Sequence, residues 1–273
     1  MARRLRLALL LIPPLAWLVI AYLGSLAVLL VSALWSTDSF TGAVVRTPTA
    51  DNLARVLTDA VFRAVTFRTL GIALAVTLIC IALSVPLALF MAKYASPRVR
   101  LLLVVAVTTP LWASYLVKAY AWRMLLSPEG PLAWAAGDTP GYGITATVIT
   151  LSYLWLPYMV IPVFAAFERV PDALLDASAD LGASDATTLR TVMAPLIFPG
   201  IAAGSIFTFS LSLGDYIAVT IVGGKTQMLG NLIYGQLVTA NNQPLAAALS
   251  LIPLVAIVAY LLAMRRTGAL ENV

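Results

Sequence analysis

Apolar residues in this chain come in long charge-free runs. These runs lie between Arg6 and Asp38, Arg68 and Lys93, Arg100 and Lys118, Asp138 and Glu168, Arg190 and Asp215, and Lys225 and Arg265. A helix needs about 20 apolar residues to cross roughly 30 Å of hydrocarbon, and lipid offers the backbone no other hydrogen-bond partners. Each run therefore predicts a membrane-spanning helix, and the fold class is an all-α membrane protein with about six transmembrane helices. The third run is the shortest, but its apolar pattern continues through Met124, Leu125 and Leu126. Lys118 and Arg123 then fall near the far end of that helix, where long basic side chains reach the interface. The Arg3, Arg4, Arg6 cluster and Val31-Ser32-Ala33 imitate a secretory signal, yet the uncharged stretch Leu7 to Trp35 exceeds the roughly 7–15 apolar residues of one. The first span is read as retained, with Pro13-Pro14 kinking or framing its start.

The polar intervals carry a second layer of pattern. Leu53, Val56, Leu57, Ala60, Val61 and Ala64 repeat at helical spacing, while Asp51, Arg55, Asp59 and Arg63 occupy other positions. This predicts an amphipathic helix capped by Thr49, Asp51 or Asn52, lying at the outer surface and leading into the second span. Between the fourth and fifth spans, Pro171 suits the first position of a helix, Asp172 its positive end and Gly182 a left-handed stop. A helix of about three turns over Pro171–Leu181 follows, then a second helix capped by Ser184 or Asp185 that runs through Ala194 into the fifth span. On the first of these helices Leu174, Ala177, Ser178 and Leu181 share a face. Asp172, Asp176 and Asp180 recur every four residues on another, an acidic stripe that suits a basic partner.

Charge then orients the chain. With the N-terminus inside, the inner segments hold Arg3, Arg4 and Arg6; Lys93, Arg98 and Arg100; Arg169 and Arg190; and Arg265 and Arg266, whereas Ser127 to Gly143 holds no Lys or Arg. Arg46, Arg55 and Arg63 fall on the outer side, accompanied by Asp38, Asp51 and Asp59. The positive-inside rule places both termini in the cytoplasm. Composition agrees with the class: 61% of the 273 residues are hydrophobic and only 11% charged, against about a quarter charged in a soluble domain. The net charge of +5 is spent on this orientation, leaving no solvated basic face for nucleic acid.

Candidate chemistry is sparse. Cys80 stands alone and there is no histidine, which excludes a disulfide framework and a His/Cys metal site. Gly223-Gly224-Lys225-Thr226 imitates the tail of a phosphate-cradling loop, but Val219 stands where that motif needs glycine. The glycines are read as turning the chain out of the fifth span. No serine sits beside a base at a recognisable spacing, so no catalytic residue, bound cofactor or metal is assigned.

Asp176-Ala177-Ser178-Ala179-Asp180-Leu181-Gly182-Ala183, followed by Val192, Pro195, Pro199 and Gly200, resembles the EAA loop of ATP-binding-cassette importer permeases. The departures are Asp176 for the usual glutamate, Ser178 for alanine and Ala194 for the leucine before Pro195. Leu116 to Arg123, Leu156-Pro157-Tyr158-Met159, Gly214-Asp215-Tyr216 and Met228 to Ile233 are similar to segments of spermidine/putrescine importer permeases. The resemblance implies a type I importer permease of a bacterial cytoplasmic membrane. In such a system Asp176, Ala177, Ser178, Asp180, Leu181, Gly182 and Ala183 belong to a coupling helix that enters a groove of the cytoplasmic ATPase. The implied partners are a second permease subunit, two ATPase subunits that use the ATP, and an external substrate-binding protein. It also implies an organisation into residues 1–65 (first span and outer helix), 66–266 (transport core, with the loop at about 168–200) and 267–273 (tail). A channel or membrane scaffold that binds a cytosolic protein remains the alternative from the residues alone.

Asp215 stands out because an ionisable group inside a span is expensive and usually faces a cavity or a partner. Counting from Pro199, sixteen residues at about 1.5 Å each put it roughly 24 Å up. It either attracts a cationic solute at the outer gate, or caps the Gly223-Gly224 turn, or pairs with Lys118 or Arg123. Tyr153, Trp155 and their aromatic neighbours Trp112, Tyr115, Tyr120, Trp122 and Tyr158 either line a route for amines or anchor the interface. Asp215, Tyr153, Trp155 and Lys118 are thus the candidates for the pathway or gate. Gly200 and Gly204 predict a close helix crossing.

Overall fold

The computed structural model describes residues 2–38 and 41–266; the expected tail at 267–273 lies outside the described residues. Among the described residues, five helices are long and apolar enough to cross a membrane, and a pair of helices bent by 101° makes a sixth when taken as one broken span. The architecture is the all-α multi-pass fold expected from the charge-free runs, with one two-residue strand pair added. The chain divides into two compact units, one holding the described residues up to Ala64 with Leu232–Ile252, the other Val65–Asn231 and the described residues from Pro253 on.

In the first unit, α1 (Ala2–Leu18), a π-helical turn (Val19–Leu23) and α2 (Gly24–Ser32) run on as one span that carries Pro13 and Pro14 without ending. None of its apolar window is buried by the rest of the chain, so its side chains are left for lipid or another subunit. Beyond it β1 (Ser36–Thr37) pairs antiparallel with β2 (Val44–Val45). The amphipathic helix α3 covers Asp51–Thr58, shorter than expected. Asp59 adopts extended angles, and its carboxylate accepts the Val61 amide at 2.7 Å, starting α4 (Ala60–Leu89) afresh. Ala50 holds the N-cap position of α3 without a side-chain bond, but Thr49, one of the expected caps, accepts the Asp51 amide on its hydroxyl at 3.2 Å, while the Asn52 side-chain amide is turned to the Trp35 carbonyl at 2.7 Å. The sixth run is also divided. α13 (Leu229–Tyr234) and a π turn (Gly235–Thr239) end before Asn241, which takes a left-handed φ of 49°, and the Asn242 carboxamide accepts the Leu245 amide at the start of α14 (Gln243–Arg266).

In the second unit the axis of packing is α8 (Ile144–Glu168) against α11 (Ala194–Gly214). Glycine makes this crossing. A Cβ on Gly200 would lie 2.6 Å from the Pro162 carbonyl and the Ala166 Cβ, and one on Gly204 would lie 2.6 Å from Met159 Sδ and 3.0 Å from its Cα. The expected small-residue contact is therefore backbone against backbone, which in lipid substitutes dispersion for a hydrophobic drive. Met159, Val163, Phe167 and Ile197 fill the resulting core together with Ile72, Val76 and Cys80 of α4.

The third span is not the single helix expected. α5 (Pro97–Trp112) stops, Ala113 and Ser114 take extended ψ values of 142° and 135°, and α6 (Tyr115–Leu125) leaves at the 101° bend. Pro110 lies inside α5 two residues before its end, and its missing amide leaves the Ala106 carbonyl without its helical donor. After α6 come the short α7 (Pro131–Ala136) and α8.

Candidate functional site

The loop between α8 and α11, called inner after its expected orientation, forms from local signals. Pro171 adopts φ −66° and ψ 136° and stands just outside α9 (Asp172–Asp180), rather than at its first position. Gly182 has φ +78°, a conformation that costs a residue with a side chain about 1–2 kcal/mol. Its amide donates to the Ala179 carbonyl at 2.8 Å and that of Ala183 to the Ser178 carbonyl at 3.1 Å, the paired bonds of a Schellman stop. Ser184 accepts the Thr187 amide at 3.3 Å and starts α10 (Asp185–Thr188), which passes through a π turn (Leu189–Met193) into α11. Ser178 is buried and shares a 2.7 Å hydrogen bond with Thr188, joining the two halves. Asp176, Ala177, Asp180 and Gly182 are exposed, and Leu181 is 88% exposed. Ala183 is half-buried.

Two basic side chains tie this loop to the inner end of the second span. Lys93, in the π turn Phe90–Tyr94 that extends α4, donates to the Val170 carbonyl and to Asp172 Oδ1, each at 2.7 Å. Arg100 donates to the Met91 carbonyl at 2.9 Å, to that of Ala92 at 2.8 Å and to Glu168 at 3.4 Å. Asp172 is thus paired within the chain, which removes it from the acidic stripe expected to meet a basic partner.

At the other end of the same helices lies an aromatic cavity of about 330 Å³, lined by Tyr115, Trp155, Ser210, Leu211, Gly214 and Asp215, with Tyr216 and Ile217 beside them. Asp215 ends α11 with extended angles and is 7% exposed. Its carboxylate accepts the Tyr115 hydroxyl and, at 2.9 Å, the Ala218 amide in the first turn of α12 (Ile217–Val222). The expected pairing of Asp215 with Lys118 or Arg123 does not form, and it caps α12 rather than the Gly223-Gly224 turn. Lys118 folds back to the Pro110 carbonyl at 2.9 Å, satisfying an acceptor that the break of the third span leaves open. Arg123 donates to the Ile221 carbonyl and lies 4.9 Å over the Tyr142 ring. The glycine pair closes α12, with Gly224 at φ +58° and the Thr226 amide donating to the Gly223 carbonyl; the fifth span has already ended at Gly214.

Trp155 stacks on Tyr115 with centroids 6.0 Å apart and meets Tyr158 at 5.9 Å. Its indole Nε1 is buried without a hydrogen-bond partner among the described residues. Tyr153 packs on Trp122 at 5.3 Å, outside that cavity lining. The structure brings Asp215 and Trp155 together, and Tyr153 and Lys118 apart from them. Tyr115 as the partner of Asp215, and Lys93 and Arg100 as ties of the inner loop, had no sequence signal: their partners lie about 70 to 100 positions away. A buried carboxylate beside aromatic faces has the chemistry to hold a desolvated cation, and nothing here supplies a nucleophile or an activated base.

Residues 84–266 match the family described as binding-protein-dependent transport system inner membrane component. An inner membrane ABC transporter permease of Escherichia coli (strain K12), YdcU, is 41% identical over 286 aligned residues, covering 98% of this chain and 91% of that protein. The spermidine/putrescine permease PotB of the same organism is 33% identical over 267 residues, covering 94% of this chain and 95% of its own. The bacterial alginate ABC transporter in complex with its pentasaccharide-bound periplasmic protein contains a chain of the same fold, with TM-score 0.76 at 17% identity over 98% of this chain and 95% of that one. The inward-facing methionine transporter MetNI gives TM-score 0.60 at 16% identity, covering 75% and 93%. This chain belongs to the binding-protein-dependent transport system inner membrane component family, and is a multi-pass, non-catalytic permease subunit of an ATP-binding-cassette importer.

Proposed function

We propose that this permease subunit carries a polyamine across the membrane, handed over by an external binding protein and driven by two cytoplasmic ATPase subunits. The observation that supports the solute class is Asp215, a nearly buried carboxylate in a cavity walled by Tyr115 and Trp155. A cation gains there from charge and from ring faces, whereas an anion meets repulsion. The 33% identity to a spermidine/putrescine permease points the same way. Asp215 and Trp155 act in the pathway, with Tyr153 and Lys118 flanking it.

Asp176, Ala177, Ser178, Asp180, Leu181, Gly182 and Ala183 form the surface that meets the ATPase, and the exposure of Leu181 suits insertion into a groove. The other permease subunit is a different chain, so the pair is a heterodimer. Both termini face the cytoplasm, in keeping with the lysine and arginine distribution. Residues 66–266 constitute the transport core, preceded by a first span and outer helix in residues 1–65. ATP-driven closure of the ATPase pair draws the two inner loops together and favours the outward-open state by binding it more tightly. The assembled transporter in proteoliposomes, supplied with its binding protein and ATP, should accumulate radiolabelled putrescine or spermidine. ATP-dependent uptake of a different solute, with neither polyamine carried, overturns the solute class.

A further inference from the structure

The second span is clamped at both ends to the two regions that matter most. At the inner end Lys93, only 12% exposed at its side chain, holds the Val170 carbonyl and Asp172 at the start of α9. Arg100 adds the span's own last carbonyls and Glu168. At the outer end Thr69, fully buried on α4, accepts the Leu229 amide on its Oγ1 at 2.9 Å and donates to the Val65 carbonyl at 2.8 Å. The segment it holds lies against the cavity: a Cβ on Gly230 would be 3.0 Å from Tyr216 Cβ and 3.1 Å from the Asp215 carbonyl oxygen, and the Asn231 side-chain Nδ2 donates to the Tyr216 carbonyl at 3.1 Å. Between the clamps Ile72, Val76, Cys80, Ala88 and Ala92 are buried in the main core, so the helix cannot slide without carrying its neighbours. Thr69 and Lys93 are 24 residues apart, a rod of about 36 Å.

We propose that this rod, with Lys93 and Thr69 as its positioning residues, transmits displacement of α9 to the segment Met228–Asn231 and so to the wall of the Asp215 cavity. The proposal rests on the reading of α9 as the ATPase-contacting helix, not on the solute. A second route through α8 and α11 exists in the packing. The rod differs from it in having a hydrogen-bonded fastening at each end whose removal disconnects the same path.

The test is a double-mutant cycle that needs no solute. Ser210→Cys places a thiol on the cavity wall, and its labelling rate by a membrane-impermeant maleimide is measured in the assembled transporter with and without ATP and vanadate. Lys93→Met and Thr69→Val are each expected to reduce the ATP–vanadate response by about fivefold or more, and the double variant to reduce it no further than the stronger single. Sites this far apart normally act independently, so multiplied effects overturn the rod. Lys93→Arg and Thr69→Ser keep the donor and the acceptor and should restore the response to within about twofold; failure to do so also overturns it. If Lys93→Met does not assemble, Arg100→Met takes its place with the same expectation. A parent transporter with no ATP response defeats the ATPase-contact reading itself, and the rod with it.

Discussion

The inner loop and the outer cavity stand at opposite ends of the same two helices, and they are built by opposite means. Within α9 and its stop the shaping contacts are local: Gly182 donates to the carbonyl three residues back, Ala183 to the one five residues back, and Ser184 caps a helix that begins at the next residue, while the long-range bonds of Lys93 and Arg100 fasten this loop to the second span. Around Asp215 the shaping contacts join Tyr115 to Asp215 and Arg123 to Ile221, about 100 positions apart. The inner region exposes an apolar side chain, Leu181, and the outer one buries a carboxylate. A surface that keeps its own shape while presenting an unburied leucine is suited to a partner that docks and leaves. A charge held by long-range bonds in a cavity is suited to a ligand that passes.

The largest effect should come from breaking the local side. At Gly182 a Cβ would meet nothing within 4 Å, but φ is +78°. Substitution by valine therefore acts through the backbone alone, and a β-branched residue resists that conformation by about 1–2 kcal/mol. Gly182→Val should leave the amount of assembled permease near normal and lower polyamine uptake per ATP hydrolysed by about five- to thirtyfold, the equivalent of that cost falling on the surface proposed to couple the two. Gly182→Asn, which tolerates the left-handed region, should recover most of the loss. Equal loss from both substitutions would show that the left-handed turn is not what matters.

Next in size is the crossing between the two regions. Gly204→Val places a Cβ 2.6 Å from Met159 Sδ and 3.0 Å from its Cα, and overpacking of this kind costs about 1–3 kcal/mol. A fall in the thermal midpoint of the purified permease pair, without a change in uptake per ATP among surviving molecules, is the expected pattern. It is the converse of Gly182→Val, and a coupling defect at unchanged stability would mean that the crossing moves during the cycle.

How far the sequence spoke follows the same division. The α9 helix, its Gly182 stop and the Ser184 cap were readable because each signal and its target lie within one or two turns. The break at Ala113–Ser114 was not, although Pro110 stood four positions ahead of Ser114. Proline is tolerated in membrane helices, and α4, α8 and α14 each run on through one or more. The division of the sixth run was hidden for another reason: a charge-free run marks a span, and Asn241-Asn242 breaks a helix without carrying charge. Asp215 was legible as an unusual group, but its partner was not. Lys118 and Arg123, the cations expected beside it, are consumed by carbonyls that the helix breaks and the short α12 expose.

At the cavity, Asp215→Asn removes the charge and keeps one acceptor oxygen for the Ala218 amide, while its NH2 group faces the Tyr115 hydroxyl, which then accepts instead of donating. If the carboxylate meets the solute, the apparent KM for polyamine uptake should rise by about tenfold, with stability nearly unchanged. Asp215→Ala should add the loss of the α12 cap, about 1 kcal/mol, to the same uptake defect. Full uptake by Asp215→Asn at normal expression would reduce Asp215 to a helix cap.

The smallest effect sharpens the comparison most. Asp172 is 80% exposed at its side chain while its partner Lys93 is 12% exposed, so the ion pair is half in water. Exposed pairs contribute about 0–1 kcal/mol, and Lys93 retains the Val170 carbonyl at 2.7 Å when the carboxylate is neutralised. Asp172→Asn should therefore change uptake per ATP by less than about twofold at 0.15 M salt, with a slightly larger effect at low salt, where screening is weaker. If instead it matched Lys93→Met, the fastening would be the charge pair and not the carbonyl. The inner loop would then be tied to the second span by an interaction that salt can loosen, rather than by a buried carbonyl bond that it cannot.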